Sequence, residues 1–214
     1  MIKEENILKT GTTTVGLICK DGVILGSDKR ATAGYLIADK KAKKIHQIDR
    51  NLALTIAGSV SDAQLLIKLI KAEIKLFSLR CQREPLVSEV ANLLGAIVYY
   101  KIRSFSAIPS ITHFVLGGKD SKGYSLYDLY PDGSVSEHNN FISSGSGSVF
   151  AYGMLENEYK EGLLLKDGIR LVYKALYGAL NRDIGSGNGI EIVSVSESGF
   201  KAEIDKTFSI EKQD

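Results

Sequence analysis

The sequence predicts an antiparallel α+β fold, a four-layer αββα sandwich in which two stacked antiparallel sheets lie between helix pairs. Three observations carry this. Strand-like segments occur in groups joined by tight turns, which argues against alternating parallel βαβ units. The helical segments come in two adjacent pairs, one after residue 60 and one after residue 148. Helix pairs on both outer faces of two stacked sheets would bury the apolar stripes that these segments carry. At 214 residues the chain suits one well-filled core, and it contains no internal repeat, low-complexity run or linker.

Taken in order, residues 1–11 (MIKEENILKTG) are polar and mixed in charge, with no apolar core like that of a secretory signal. They read as a short disposable leader or a frayed terminus. Thr12 to Cys19 is rich in β-branched residues and reads as a strand. Lys20-Asp21-Gly22 is a turn signal, and Val23 to Ser27 is the returning strand. After a polar stretch, Lys44 to Asp49 and Asn51 to Ala57 form a second strand pair ending at Gly58.

Ser61 and Gln64 fit a capping box, followed by Ala63, Leu66, Ile67, Ile70, Ile74 and Phe77 at helical spacing. Pro85 suits the first turn of a second helix whose stripe is Leu86, Val90, Leu93, Leu94 and Ile97. Ile111 to Leu116 reads as a strand ending at Gly117-Gly118, and Tyr124 to Tyr130 as another before the Pro131-Asp132-Gly133 turn. A Gly/Ser loop leads to helices at Val149 to Tyr159 and Lys166 to Asp183. A closing strand, Ile190 to Ser196, precedes a charged tail.

Composition excludes some partners. With 27 basic and 25 acidic residues the net charge is +2, which gives no reason to expect nucleic acid or an anionic membrane surface. No apolar run approaches the length of a membrane-spanning helix. Two cysteines, Cys19 and Cys81, both in apolar-patterned segments, form no disulfide framework and suit a reduced, cytoplasmic protein.

Most arrangements for chemistry are missing. There is no G-x-S-x-G elbow, C-x-x-C pair or H-E-x-x-H spacing, and His46, His113 and His138 stand alone, so no metal or cofactor is expected. The Gly/Ser runs at 145–148 and 185–187 follow neither a P-loop nor a dinucleotide pattern. What remains is Gly11-Thr12-Thr13-Thr14. A threonine hydroxyl needs a base within hydrogen-bond reach, and an N-terminal threonine carries one in its own α-amine, with an ordinary pKa of about 7.7–8.0. Gly11 permits the tight bend by which the Thr12 hydroxyl could attack the preceding carbonyl and release the leader. Threonines are equally ordinary strand residues, and Asp28 and Lys44 could be a solvated surface pair; spacing does not decide.

The strings are more specific together. Thr10 to Leu17 (TGTTTVGL), Gly26 to Thr32, Ala42-Lys43-Lys44-Ile45, Leu54 to Gly58, Ser61 to Gln64, Ser144 to Ser148, and Asn181-Arg182-Asp183 with Ser186-Gly187 follow in register. In these the chain resembles proteasome β-type subunits of the archaeal kind, from about Thr10 to Ser196.

The resemblance implies an N-terminal-nucleophile hydrolase: a threonine endopeptidase, cleaved after Gly11, with Thr12 as nucleophile and its amine as general base. By position, Lys44 is the lysine beside it and Asp28 the acid that holds that lysine. Ser146, Asp183 and Ser186 surround the amine. The Gly58 N–H donates to the oxyanion, and Arg30 neighbours Asp28. Substrate would add to an edge near Thr32, with Ala31, Ala42, Ile56 and Val60 lining a pocket for a hydrophobic residue before the scissile bond and no acid among them. The implied partners are other β subunits in a heptameric ring, α-type rings outside, an ATP-dependent unfoldase ring at the barrel ends, and unfolded polypeptide. Gly185 stands where related chains often carry a small non-glycine residue, and Ser61 where glycine is common. A non-catalytic ring subunit, or another amidase of the same hydrolase superfamily, is the competing reading.

Overall fold

A computed structural model describes residues 11–106 and 110–208; the leader, apart from Gly11, lies outside them. The chain begins with β1 (Thr14–Cys19) and β2 (Gly22–Asp28), a small hairpin β3 (Ala31–Ala33) and β4 (Leu36–Asp39), then β5 (Ile45–Asp49) and β6 (Leu52–Gly58). Helices α1 (Val60–Cys81) and α2 (Val87–Arg103) follow. Next come β7 (Thr112–Asp120), β8 (Gly123–Leu129), β9 (Val135–His138) and β10 (Phe141–Ser144). The chain returns through α3 (Ser148–Glu158), α4 (Leu165–Leu180), β11 (Gly189–Ser196) and β12 (Gly199–Thr207).

Two five-stranded antiparallel sheets result, ordered β10-β1-β2-β11-β12 and β5-β6-β7-β8-β9. Alternation along the strands decides where each side chain goes. In β2, Val23 and Leu25 join Ile45, Val115, Leu126 and Val193 in an apolar layer between the sheets, while Ile24 packs with α3 and α4 side chains. In β6, Leu54 and Ile56 pack beneath α1 and α2, and Ala53 faces the inter-sheet layer. The αββα order predicted from the sequence is therefore observed.

Several local expectations are corrected. The polar stretch after Asp28 holds β3 and β4, and the segments around 135–138 and 199–207 are strands. Strand β7 runs through Gly117-Gly118, where glycine is seated by close packing: a Cβ on Gly118 would lie 2.5 Å from Leu52 Cδ2, and one on Gly117 would lie 3.1 Å from Val23 Cγ2. Helix α1 starts at Val60, so Ser61 lies in its first turn and the box with Gln64 does not form; Ser61 instead meets the Ser59 hydroxyl at 3.3 Å. Pro85 lies outside α2, which begins at Val87, with the Glu89 carboxylate accepting the Leu86 N–H at 2.8 Å. Leu93 is exposed, and Ala91 and Val98 complete the buried stripe. Cys19 is buried, its thiol pushed up to about 12 by burial, whereas Cys81 is exposed at the end of α1.

Candidate active site

The packing of the strands brings the candidate residues to one end of the sandwich. Thr12 lies two residues before the start of β1, and Asp28 closes the neighbouring β2. Lys44 stands just before β5, pinned by the buried Ile45 and by its carbonyl, which accepts the Ile56 N–H at 2.9 Å. Asp183 and Ser186 lie in the loop between α4 and β11, and Ser146 in the turn before α3.

These residues touch. The Lys44 ammonium donates to Thr12 Oγ1 at 3.0 Å and to Asp28 Oδ1 at 2.6 Å. Asp28 is fully buried, and its carboxylate also accepts the backbone N–H groups of Thr13 (3.0 Å), Arg30 (2.9 Å) and Gly187 (3.0 Å). A buried carboxylate with four donors is satisfied as an anion. Burial pushes Lys44 below the ordinary lysine value; Asp28 and, more weakly, Asp183 oppose that, while Arg30 adds to it. The ammonium thus sits beside a hydroxyl oxygen as a donor less basic than a solvated lysine.

On the other side, the Thr12 N–H donates to Ser146 Oγ at 3.2 Å. The Ser146 and Ser186 hydroxyls both donate to Asp183 Oδ2 at 2.6 Å. Arg30 holds this loop: its Nε donates to Asn188 Oδ1 at 2.7 Å and its Nη1 to the Ile184 carbonyl at 2.9 Å. Gly187 leaves space for that guanidinium, since a Cβ there would lie 2.4 Å from Arg30 Cζ.

The Gly11–Thr12 junction is bent onto itself. The Thr12 hydroxyl donates to the Gly11 carbonyl at 2.6 Å, and the Gly11 N–H donates to Thr32 Oγ1 at 2.7 Å. A Cβ on Gly11 would come within 2.1 Å of Gly185 Cα, so glycine is required sterically at this point. Among the described residues no group of His, Cys, Asp and Glu could hold a metal ion, and no helix is long and apolar enough to cross a membrane.

The chain that carries this site matches a known family over most of its length. A family model described as Proteasome subunit matches residues 8–195. The chain belongs to the proteasome subunit family. A Proteasome subunit beta from Archaeoglobus fulgidus is 43% identical over 197 residues, 92% of this chain and 90% of that one. One from Archaeoglobus profundus is 42% identical over 203 residues, 93% of each. A third, from Methanococcus maripaludis strain C7, is 45% identical over 190 residues, 88% of this chain and 85% of that one. Within the family this chain is a β-type subunit.

Beside Thr12 the subunit has a cleft of about 360 Å³. Ala31, Thr32, Ala42, Ile56, Gly58 and Val60, all named from the sequence, line it. Gly58 ends β6 with φ +107°, and a Cβ there would meet the Ile111 carbonyl oxygen at 2.3 Å. Sequence reasoning missed the polar part of the wall: Asp39, Lys43, His46 and Gln64. An acid therefore does line the cleft, although the Asp39 carboxylate is engaged by the Lys41 N–H at 2.8 Å. Burial, then Lys43, push the His46 imidazole below its ordinary value, which favours the neutral ring. The side of α1 facing the cleft, from Val60 to Gln64, could have signalled Gln64 by its helical spacing; nothing in the sequence placed Asp39 there.

Proposed function

We propose that this β subunit is the catalytic subunit of a proteasome core particle, a threonine endopeptidase that releases residues 1–11 to make Thr12 its N-terminal nucleophile. The observation that carries the reading is the Thr12 hydroxyl, held 2.6 Å from the Gly11 carbonyl oxygen and 3.0 Å from the Lys44 ammonium. Attack by Oγ1 on the Gly11 carbonyl carbon forms an ester as the Gly11–Thr12 amide bond breaks, and the hydroxyl proton passes to the departing nitrogen. Water then hydrolyses the ester, freeing a Gly11 carboxylate, the Thr12 hydroxyl and a new α-amine.

In the released enzyme the amine accepts the Oγ1 proton as Oγ1 attacks a substrate carbonyl, then gives it to the leaving amine. Lys44 stabilises the developing alkoxide, with Asp28 keeping it charged and oriented. The Ser146 hydroxyl lies 2.6 Å from Asp183 Oδ2 and 3.4 Å from the Thr12 carbonyl; its single proton goes to the shorter, charge-assisted bond, so toward the Thr12 nitrogen it accepts, which leaves the amine lone pair open toward the nucleophile. The Gly58 N–H is the proposed oxyanion donor.

Peptide substrate would pair with the edge near Thr32. Ala31, Ala42, Ile56 and Val60 favour a hydrophobic residue before the scissile bond, and a neutral His46 adds no charge to the wall. Assembly with other β subunits in a heptameric ring, with α-type rings and an ATP-dependent unfoldase ring beyond, and a cytoplasmic setting complete the proposal. Thr12→Ala tests it: the leader stays attached by intact mass, and hydrolysis of hydrophobic reporter peptides is lost. Persistent cleavage by that variant contradicts the mechanism.

A further inference from the structure

Thr13 lies next to the nucleophile and touches both charged halves of the site. Its N–H donates to Asp28 Oδ1 at 3.0 Å, and its hydroxyl lies 2.7 Å from Ser186 Oγ. The residue is fully buried, so neither group reaches solvent. Gly147 makes the space: a Cβ there would stand 2.0 Å from Thr13 Oγ1.

The direction of the Thr13–Ser186 bond follows from counting protons. A serine hydroxyl has one hydrogen, and Ser186 gives its hydrogen to the Asp183 carboxylate at 2.6 Å. Thr13 must therefore donate to Ser186. Ser146 also donates to Asp183, and the Thr12 N–H donates to Ser146. The short bonds point toward Asp183, from Thr13 through Ser186 on one arm and from Thr12 through Ser146 on the other; the Ser146 contact to the Thr12 carbonyl, at 3.4 Å, is the weaker alternative for its proton.

We propose that the Thr13 hydroxyl is a positioning group for the reaction, fixing Ser186 as a donor to Asp183 and thereby holding the Ser146 oxygen open to the Thr12 amine. Without it Ser186 has a free lone pair, and its hydroxyl is held by Asp183 alone. It can then turn from Asp183 and accept a proton from the network, and the single proton order that leaves the amine lone pair on the nucleophile side is lost. The effect acts through oriented hydrogen bonds, so it falls on turnover and leaves substrate binding alone. This inference rests on the reading of Thr12 as nucleophile.

The test uses the full-length chain expressed and assembled, with steady-state hydrolysis of a hydrophobic reporter peptide, normalised to the matured fraction by intact mass. Thr13→Val keeps the shape and the N–H bond to Asp28 and removes only the hydroxyl; kcat should fall about tenfold with KM unchanged, the scale of one lost oriented hydrogen bond. Thr13→Ser restores the donor and should return kcat to within about twofold of wild type. Gly147→Ala sets a Cβ 2.0 Å from Thr13 Oγ1 and 3.1 Å from Asp183 Oδ2, so it forces the Thr13 hydroxyl off Ser186 and presses on Asp183 as well, and should lower kcat at least as far; it carries the test if the valine variant does not assemble. Wild-type kcat in Thr13→Val, or in Gly147→Ala where that variant carries the test, overturns the proposal, as does a serine variant as slow as the valine one. Thr12→Ala run alongside separates the two levels: activity there removes the nucleophile reading and this proposal with it, whereas an inactive control beside an unimpaired Thr13→Val removes only the role of Thr13.

Discussion

Lys44 and Asp28 form a buried ion pair whose net contribution to stability is small but whose disruption is not. Lys44→Ala leaves the Asp28 carboxylate buried with its three backbone donors and no cation. The fold should persist with a melting temperature lower by roughly 6–20 °C, about 3–5 kcal/mol. Turnover should fall about a thousandfold, since the group that stabilises the alkoxide is gone. Calorimetry and reporter-peptide kinetics on the same preparation separate the two effects, and wild-type rates would remove lysine from the scheme. At this scale little was legible from spacing. Asp28 and Lys44 lie 16 and 32 residues from Thr12, and no periodicity links them; they could be weighed as charged partners of Thr12, but only the resemblance joined them to it. Thr13 could not be read at all, because its partner Ser186 is 173 residues away and threonine in a strand is unremarkable.

At the scale of elements, the long apolar helices and central strands were readable, because burial on a face leaves a period in the sequence. What escaped were short or edge strands. Strands β3 and β4 span three and four residues and are largely exposed. Strand β12 lies at a sheet edge, and Lys201, Glu203, Asp205 and Lys206 gave it the look of a charged tail, which is how edge strands are commonly protected. Gly26 shows how an element is seated. A Cβ on this β2 residue would lie 2.5 Å from Val172 Cγ1 and 2.9 Å from Leu176 Cδ1, both on α4. Gly26→Ala should push α4 outward and cost about 1–3 kcal/mol, read as a lower thermal midpoint. An unchanged midpoint would mean that α4 does not rest on this strand. Strand β5 carries His46, whose folded-state pKa lies below the unfolded value. The neutral ring's contribution is present above the unfolded value and is lost as pH falls through the folded one. His46→Gln should therefore reduce the drop in melting temperature between pH 7 and pH 5; an unaltered drop contradicts this.

The whole molecule is three apolar layers, two between helices and sheets and one between the sheets, and the site opens where β1, β2, β5 and β6 end together. That layering was predictable from grouped strands and paired helices, whereas the cleft wall, which draws Asp39, Lys43, His46 and Gln64 from separate elements, was not. Leu65, Leu69, Leu76 and Leu79 leave an exposed apolar face along α1, which supports assembly with further subunits. The proposed chemistry has one consequence that belongs to the whole chain, the loss of its first eleven residues. Intact mass of the assembled wild-type protein, taken beside Thr12→Ala, measures it directly. The account predicts a wild-type chain beginning at Thr12 and a full-length variant; a wild-type chain that keeps residues 1–11, or a variant that loses them, contradicts it.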